Sequence, residues 1–80
     1  MTFRFLELTR FMNGHTGLRT GKIHILNASS ITNIYENNIF DSSKGEWKNC
    51  TSLTFLDETT INVKEDINVV LTRYKTAIGF

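Results

Sequence analysis

The repeat distance of the apolar residues changes within the last 31 residues of this 80-residue chain, and this change restricts the fold more than any other feature. Apolar and polar side chains alternate over residues 50–56 and again over residues 59–63, which is the pattern of two half-buried strands. Only Asp57 and Glu58 separate these segments, so they are predicted to form an antiparallel hairpin. The apolar repeat then becomes that of an amphipathic helix.

This helix is predicted to run from about residue 67 to residue 77, with apolar residues spaced three and four apart along one face. Asp66 can cap its N-terminus, because a carboxylate accepts hydrogen bonds from the free amides of the first turn. Gly79 suits the left-handed position after the last turn. Leu71 is expected to anchor the apolar face in the core. The facing sheet positions are predicted to be Ile23, Ile25, Leu53, Phe55, Ile61 and Val63.

Three further strands are predicted upstream, over residues 2–10, 22–26 and 31–36. Residues 12–21 contain three glycines and no periodicity, which predicts a mobile loop. Residues 37–49 are mostly polar and are predicted to form a second long loop. The fold class is therefore α+β: a small antiparallel sheet of four to five strands with one C-terminal amphipathic helix packed on one face. We expect residues 1–80 to form a single domain.

Composition excludes several other classes of protein. Cys50 is the only cysteine, so neither an internal disulfide nor a cysteine-rich zinc site is expected. The chain has no apolar run long enough to cross a membrane and no signal-peptide pattern, so we expect a cytoplasmic protein without a membrane partner. Nine basic and eight acidic residues give a net charge of +1, which by itself indicates no particular partner.

The run Thr51-Ser-Leu-Thr-Phe-Leu-Asp-Glu-Thr-Thr-Ile-Asn-Val-Lys-Glu-Asp-Ile-Asn-Val-Val70 resembles the C-terminal part of the small flagellar FlbD and swarming-motility family. In that family a strand, a tight turn, a second strand, Val-Lys-Glu and a capped helix follow one another without gaps. Upstream, Leu8-Thr9-Arg10 is similar to the family's opening strand. Leu26-Asn27, with Ile31, Ile34 and Glu36, is similar to the family's Leu-Asn-x-x-x-Ile-x-x-Ile-Glu segment.

The resemblance implies the same α+β fold and a small regulatory protein that is not an enzyme. Alternatively, the chain is a phage-encoded relative that binds and inhibits a host protein. Asp57-Glu58 stands where the family has Asn-Gly or Asp-Gly. Because Glu resists a positive φ, we expect the connection in this chain to be longer than two residues.

Residues with reactive side chains do not form a recognisable catalytic or metal-binding pattern. His15 and His24 lack further ligands at metal-binding spacing and are interpreted as surface residues. Cys50 lies in a predicted strand without an orienting base and is interpreted as a packing residue. The Gly17–Lys22 segment is one residue shorter than a phosphate-binding loop and lacks its Ser or Thr. We therefore expect no catalytic residue, metal or cofactor.

The predicted loop over residues 37–49 contains the residues that folding does not explain. It places Phe40 and Trp47 among polar residues, and aromatic anchors with a polar rim are typical of protein-interaction sites. With Lys44 and Lys48 they are the predicted contacts with a cellular or host protein. A tryptophan folded over its own core is the alternative interpretation of Trp47.

RNA or single-stranded nucleic acid is the alternative partner. The first 48 residues contain six basic and four acidic residues, and several of the basic residues lie in or beside the predicted loops. Aromatic side chains in those loops could stack on unpaired bases. The further nucleic-acid contacts predicted under this alternative are Arg10, Arg19 and Lys22.

The first predicted strand also suggests self-association. Apolar residues lie on both of its faces, and one helix cannot cover both. An uncovered strand edge or face is readily buried by another copy. We expect a homodimer or small homo-oligomer that uses this strand or the faces of Phe3 and Phe5.

Overall fold

A computed structural model describes residues 5–14 and 17–79 of the chain. It contains one antiparallel five-stranded sheet in the order β2-β1-β5-β4-β3, with a single helix packed on one face. The predicted α+β fold class is therefore confirmed. The elements are the strands β1 (Leu6–Gly14), β2 (Gly17–Ile25), β3 (Ile31–Asp41), β4 (Glu46–Phe55) and β5 (Thr60–Val63) and the helix α1 (Ile67–Ile78), with a short 3-10 helix (Ala28–Ser30) between β2 and β3.

The prediction of a loop over residues 12–21 is wrong. β1 and β2 form a long hairpin whose pairing runs from Leu6 opposite Ile25 to Gly14 opposite Gly17. The glycines and polar residues remove the side-chain alternation that marks a strand. They leave the backbone amides and carbonyls that form the ladder unchanged. His15 and Thr16 lie outside the described residues.

The prediction of a loop over residues 37–49 is also wrong. β3 continues to Asp41, β4 begins at Glu46, and the connection needs only residues 42–45. The Asp41 carboxylate accepts hydrogen bonds from the Ser43 amide (3.1 Å) and hydroxyl (2.6 Å). Gly45 supplies the positive φ of 64° and donates its amide to the Asp41 carbonyl. This compact turn leaves the remaining polar residues free to pair as strands.

The core lies between α1 and the sheet face that bears Leu53 and Val63, which we call the helix-side face. Val70 is the helix residue that is fully buried there, whereas Leu71 is only partly buried. Leu71 as the core anchor is therefore a wrong prediction, because the helix is rotated so that Val70 points directly at the sheet. The predicted sheet positions are all in this core or packed against it: Ile23, Ile25, Leu53, Phe55, Ile61 and Val63.

Both helix ends follow the sequence prediction. The Asp66 carboxylate accepts a hydrogen bond from the Asn68 amide at 3.1 Å, and this satisfies one free donor of the first turn. Gly79 adopts the left-handed conformation with φ 94°, and its amide bonds to the carbonyls of Lys75 and Thr76. The predicted end at Ala77 is one residue short of Ile78.

The connection between β4 and β5 is longer than two residues, as expected from Asp57-Glu58. The Phe55 amide bonds to the Thr59 carbonyl at 2.9 Å, which leaves three residues in the loop. Glu58 nevertheless adopts a positive φ of 69°. This conformation costs free energy for a residue with a Cβ, and the Asp57 carboxylate stabilises the turn by accepting from the Thr59 amide and hydroxyl.

Glu65 links β1 to the C-terminal helix. β5 ends at Val63, and the next residue, Lys64, still donates its amide to the Thr9 carbonyl at 2.7 Å. The Thr9 amide bonds instead to a side chain: the Glu65 carboxylate accepts from this amide (2.8 and 3.0 Å) and from the Thr9 hydroxyl (2.9 Å). Arg73 of α1 lies 3.4 Å from the same carboxylate and donates to the Glu7 carbonyl at 2.8 Å.

This arrangement shows that β1 is not an open edge of the sheet over Leu6–Gly14, while self-association through the first strand or the faces of Phe3 and Phe5 stays a prediction. β1 lies between β2 and β5, and where β5 has ended, side chains from α1 and its preceding turn occupy the exposed flank. The open edges of the sheet are instead β2 and β3. Phe5 is exposed, and Phe3 lies outside the described residues.

We expect Val70→Ala to lower the free energy of unfolding by about 2 kcal/mol, because it removes two fully buried methyl groups at roughly 0.8 kcal/mol each and leaves a cavity. Leu71→Ala removes one more carbon, but from a partly buried side chain, so its loss should be smaller. Urea denaturation of the two variants measures both changes. A larger loss for Leu71→Ala would contradict Val70 as the anchor.

We expect Glu65→Ala to cost about 1–3 kcal/mol, because the Thr9 amide loses its acceptor in a partly buried position. Glu65→Gln keeps one acceptor oxygen and should recover part of that loss. Glu46→Ala, at an exposed strand position, is the matched control and should change stability little. Equal stability of the Glu65→Ala and Glu46→Ala variants would show that Glu65 does not close the β1 flank.

Candidate protein-interaction site

The outer half of the β3–β4 hairpin, residues 37–49, extends beyond the sheet centre and is called the β3–β4 arm here. β5 pairs with β4 only from Thr51 to Thr54, so this part of β4 has β3 as its sole strand partner within the described residues. The pairing of β3 with β4 continues without interruption from Asn33 to Asp41. The arm is therefore a regular two-stranded platform.

Phe40 and Trp47 lie directly opposite each other at the end of this platform. Their ring centroids are 5.2 Å apart with an interplanar angle of 65°, an edge-to-face geometry that favours aromatic pairs. Phe40 is 42% exposed and Trp47 is 69% exposed. Trp47 is thus not folded over its own core. By strand alternation from Leu53, the two rings lie on the helix-side face.

The two predicted lysines lie on the arm but not beside the rings. Lys44 is an exposed residue of the turn. Lys48 follows Trp47 directly in β4, so its side chain points to the opposite face. Its ammonium group lies 3.7 Å from the Asp41 carboxylate. The structure therefore groups Phe40 with Trp47, and Lys48 with Asp41.

Asp41 ties the end of the arm to the start of β2. Its side chain is almost fully buried, and desolvation by itself would raise the pKa of the carboxyl. The pKa is nevertheless held below its ordinary value by hydrogen bonds from the Ser43 hydroxyl and amide. The Leu18 backbone amide and the charge of Lys48 lower it further. A Cβ at Gly17 would lie 2.5 Å from the Ser43 side chain, and Gly17 has φ 119°. Glycine is therefore required where the two hairpins meet.

A polar cleft of about 480 Å³ adjoins the aromatic pair and was not expected from the sequence. It lies between the arm and the start of α1. Asn38 and Asn49, which pair across the arm two residues before the rings, form part of its lining, together with Thr51 and Asp66. The Thr51 hydroxyl donates to the Glu65 carbonyl at 2.8 Å and fixes this side of the cleft. The cleft could have been predicted by extending the strands at residues 31–36 and 50–56 into the arm.

The basic residues proposed for nucleic-acid binding are distributed over both faces of the β1–β2 hairpin. Arg10 lies opposite Gly21, and Arg19 lies opposite Met12, on the face that bears Leu8. Lys22 points to the other face, where its ammonium group lies 3.4 Å from the Glu7 carboxylate. The structure does not bring these three cations together with the aromatic pair on one continuous strand surface.

The remaining reactive side chains have structural surroundings. Cys50 is buried, and desolvation raises the pKa of its thiol, which disfavours the nucleophilic thiolate. His24 lies 3.3 Å from Glu7 and packs edge-on against Phe5. Over residues 5–14 and 17–79, no three His, Cys, Asp or Glu side chains are grouped as metal ligands. No helix in that part of the chain is long and apolar enough to cross a membrane.

The pKa of Asp41 makes a prediction about acid stability. A carboxyl whose pKa is lower in the folded state stabilises the fold above its unfolded pKa of about 3.9, and this stabilisation is lost as the pH falls through the folded pKa. Asp41→Asn cannot titrate, so its free energy of unfolding should fall less steeply than that of the wild type from about pH 5 downward. Urea denaturation at a series of pH values compares the two. The carboxyls of Glu7 and Asp57, whose pKa values are also lowered, are present in both proteins, so parallel curves would show that Asp41 contributes nothing.

Comparison with protein-family models finds no match, and no curated protein or solved structure is significantly similar to the chain. The resemblance to the FlbD and swarming-motility family therefore stays a prediction.

Proposed function

We propose that this chain is a small, non-enzymatic cytoplasmic module that binds a cellular or host protein through the helix-side face of its β3–β4 arm. The observation that supports this function is the exposed Phe40–Trp47 pair on a regular hairpin. The role is regulatory, either resembling that of FlbD and swarming-motility proteins or that of a phage inhibitor of a host protein.

The geometry of the pair suits protein recognition. Tryptophan and other aromatic residues dominate the binding energy of protein interfaces when they enter a desolvated pocket of the partner. Trp47 exposes most of its ring, and Phe40 holds one edge of it in place, so little conformational freedom is lost on binding. The amides of Asn38 and Asn49 beside the rings supply hydrogen-bonding groups for a polar rim.

The charge arrangement favours a protein partner over RNA or single-stranded DNA. Two of the five candidate cations, Lys22 and Lys48, already have carboxylate partners. Binding to phosphates would have to displace those carboxylates. Arg10 and Arg19 lie on the opposite face of the sheet from Lys22. Lys44, the fifth candidate cation, is an exposed residue of the turn.

We expect Trp47→Ala to abolish recovery of the specific partner when the tagged protein is purified from cells and the bound proteins are quantified by mass spectrometry. Leu56→Ala is the matched control, because Leu56 is 71% exposed and lies in the turn at the other end of β4. It should recover the same partner as the wild type. Circular dichroism verifies that both variants are folded. Equal recovery by the Trp47→Ala variant would exclude the aromatic pair as the contact.

The nucleic-acid alternative has its own measurement. We expect no specific electrophoretic shift of mixed RNA and single-stranded DNA oligonucleotides at physiological salt. Binding dominated by phosphate contacts weakens steeply as salt is raised. A submicromolar, salt-sensitive shift that is lost in the double variant Lys44→Ala, Lys48→Ala would overturn the protein-binding proposal in favour of a nucleic-acid module.

A further inference from the structure

The two open edges of the sheet differ in how they are protected. β2 contains Arg19 and Lys22, and exposed cations are a common protection against edge pairing. Its first residue, Gly17, also lies against the turn of the β3–β4 arm. β3 is eleven residues long and contains no lysine, arginine or proline. Its last residue, Asp41, is in contact with Gly17 and Leu18 of β2, so the part of this edge that is available to another strand is residues 33–40.

The hydrogen-bonding alternation shows which residues of β3 offer free backbone groups. Successive residues of a strand direct their backbone groups to alternate sides of the strand. The Phe55 amide bonds to the Thr59 carbonyl on the β5 side of β4. The backbone groups of Ser52 and Cys50, three and five residues before Phe55, therefore point toward β3. Their register partners Tyr35 and Asn37 therefore face β4.

The residues between them, at the even positions 34, 36, 38 and 40, direct their amides and carbonyls outward. The hydrogen bond of the Asn38 amide agrees with this assignment. It goes to the side-chain oxygen of the preceding Asn37 at 2.9 Å and not to β4.

We propose that a second copy of this chain pairs with β3 in antiparallel orientation, with the twofold axis at Asn37. The sequence of β3 has a self-complementary apolar and polar pattern about this residue: Asn-Ile-Tyr-Glu, then Asn37, then Asn-Ile-Phe-Asp. Apolar residues thereby oppose apolar ones, and polar residues oppose polar ones. The pairs between the two copies are Ile34 with Phe40, Tyr35 with Ile39, and Glu36 with Asn38.

The outward backbone groups select this register. An axis at Asn37 places outward residues opposite each other, as an antiparallel ladder requires. An axis at Glu36 would also satisfy the backbone, but it would place two carboxylates directly opposite each other, which is unfavourable. An axis at Asn38 would place Glu36 opposite Phe40. Only the axis at Asn37 matches both the backbone and the side chains.

The dimer is independent of the proposed function. A twofold axis perpendicular to the joined sheets keeps both helix-side faces on the same side, so a ten-stranded sheet would present two copies of Trp47. Of the two rings of the aromatic pair, Phe40 lies in the joined edge strand, whereas Trp47 belongs to β4 and is one strand away. Self-association can therefore fail without affecting partner recovery through Trp47, and the reverse also holds.

Sedimentation of the purified protein at tens of micromolar tests the edge. We expect a dimer for the wild type and a monomer for Asn38→Pro, because proline removes the outward amide and no hydrogen bond of the β3–β4 ladder. Asn38→Thr retains the amide and should remain a dimer. A monomeric wild type, or a folded Asn38→Pro variant that still forms a dimer, would overturn the proposal.

Oxidative cross-linking tests the register. In a Cys50→Ala background, which removes the thiol opposite Asn37 on β4, Asn37→Cys should form a disulfide-linked dimer. Directly opposed residues of a non-hydrogen-bonded pair have Cα atoms about 4.5 Å apart, within the range of a disulfide. Asn33→Cys is the control, because eight residues of offset would separate its two copies by roughly 26 Å. Cross-linking through position 33, or none through position 37, would exclude this pairing.

Discussion

The contact between the Glu65 carboxylate and the Thr9 backbone is the interaction on which the arrangement of this sheet depends. β5 is too short to pair along β1, and the two strands share only the pair of Arg10 and Val63. The Lys64 amide bonds to the Thr9 carbonyl, but without a further acceptor the Thr9 amide would be unsatisfied. Glu65 supplies that acceptor, and its contact with Arg73 links β1 to α1. The Val-Lys-Glu segment, which suggested a family resemblance, thus has a structural role in this chain.

The same contact determines which surfaces are free. Because Glu65 and Arg73 close the flank of β1, this strand has no open edge, and the open backbone lies on β2 and β3. At the other end of the molecule, Asp41 joins the β3–β4 arm to β2 at Gly17, so the arm is supported at its tip. Two surfaces are left on a supported platform: the outer edge of β3 and the aromatic pair on its helix-side face.

The candidate site could be predicted from the sequence in its residues but not in its geometry. Phe40 and Trp47 stood out because no folding requirement explained them. Their direct opposition across the hairpin could not be derived while residues 37–49 were interpreted as a loop. The cleft beside Asn49 was missed for the same reason. Lys48 was grouped with the rings for the same reason. In a strand its side chain points to the face opposite Trp47, because side chains alternate between the two faces, and a loop has no such alternation.

The sequence by itself determined the features that depend on local physical chemistry. The alternation of the β4–β5 hairpin, the helical repeat of α1, the Asp66 cap and the left-handed Gly79 all involve residues close together in the chain. Only the tertiary structure decided the extent of the first four strands, the choice of Val70 as the buried helix residue and the closure of β1. Backbone pairing does not require alternating side chains, and the Glu65–Thr9 contact joins residues 56 positions apart. No short window of sequence contains both partners of such a contact.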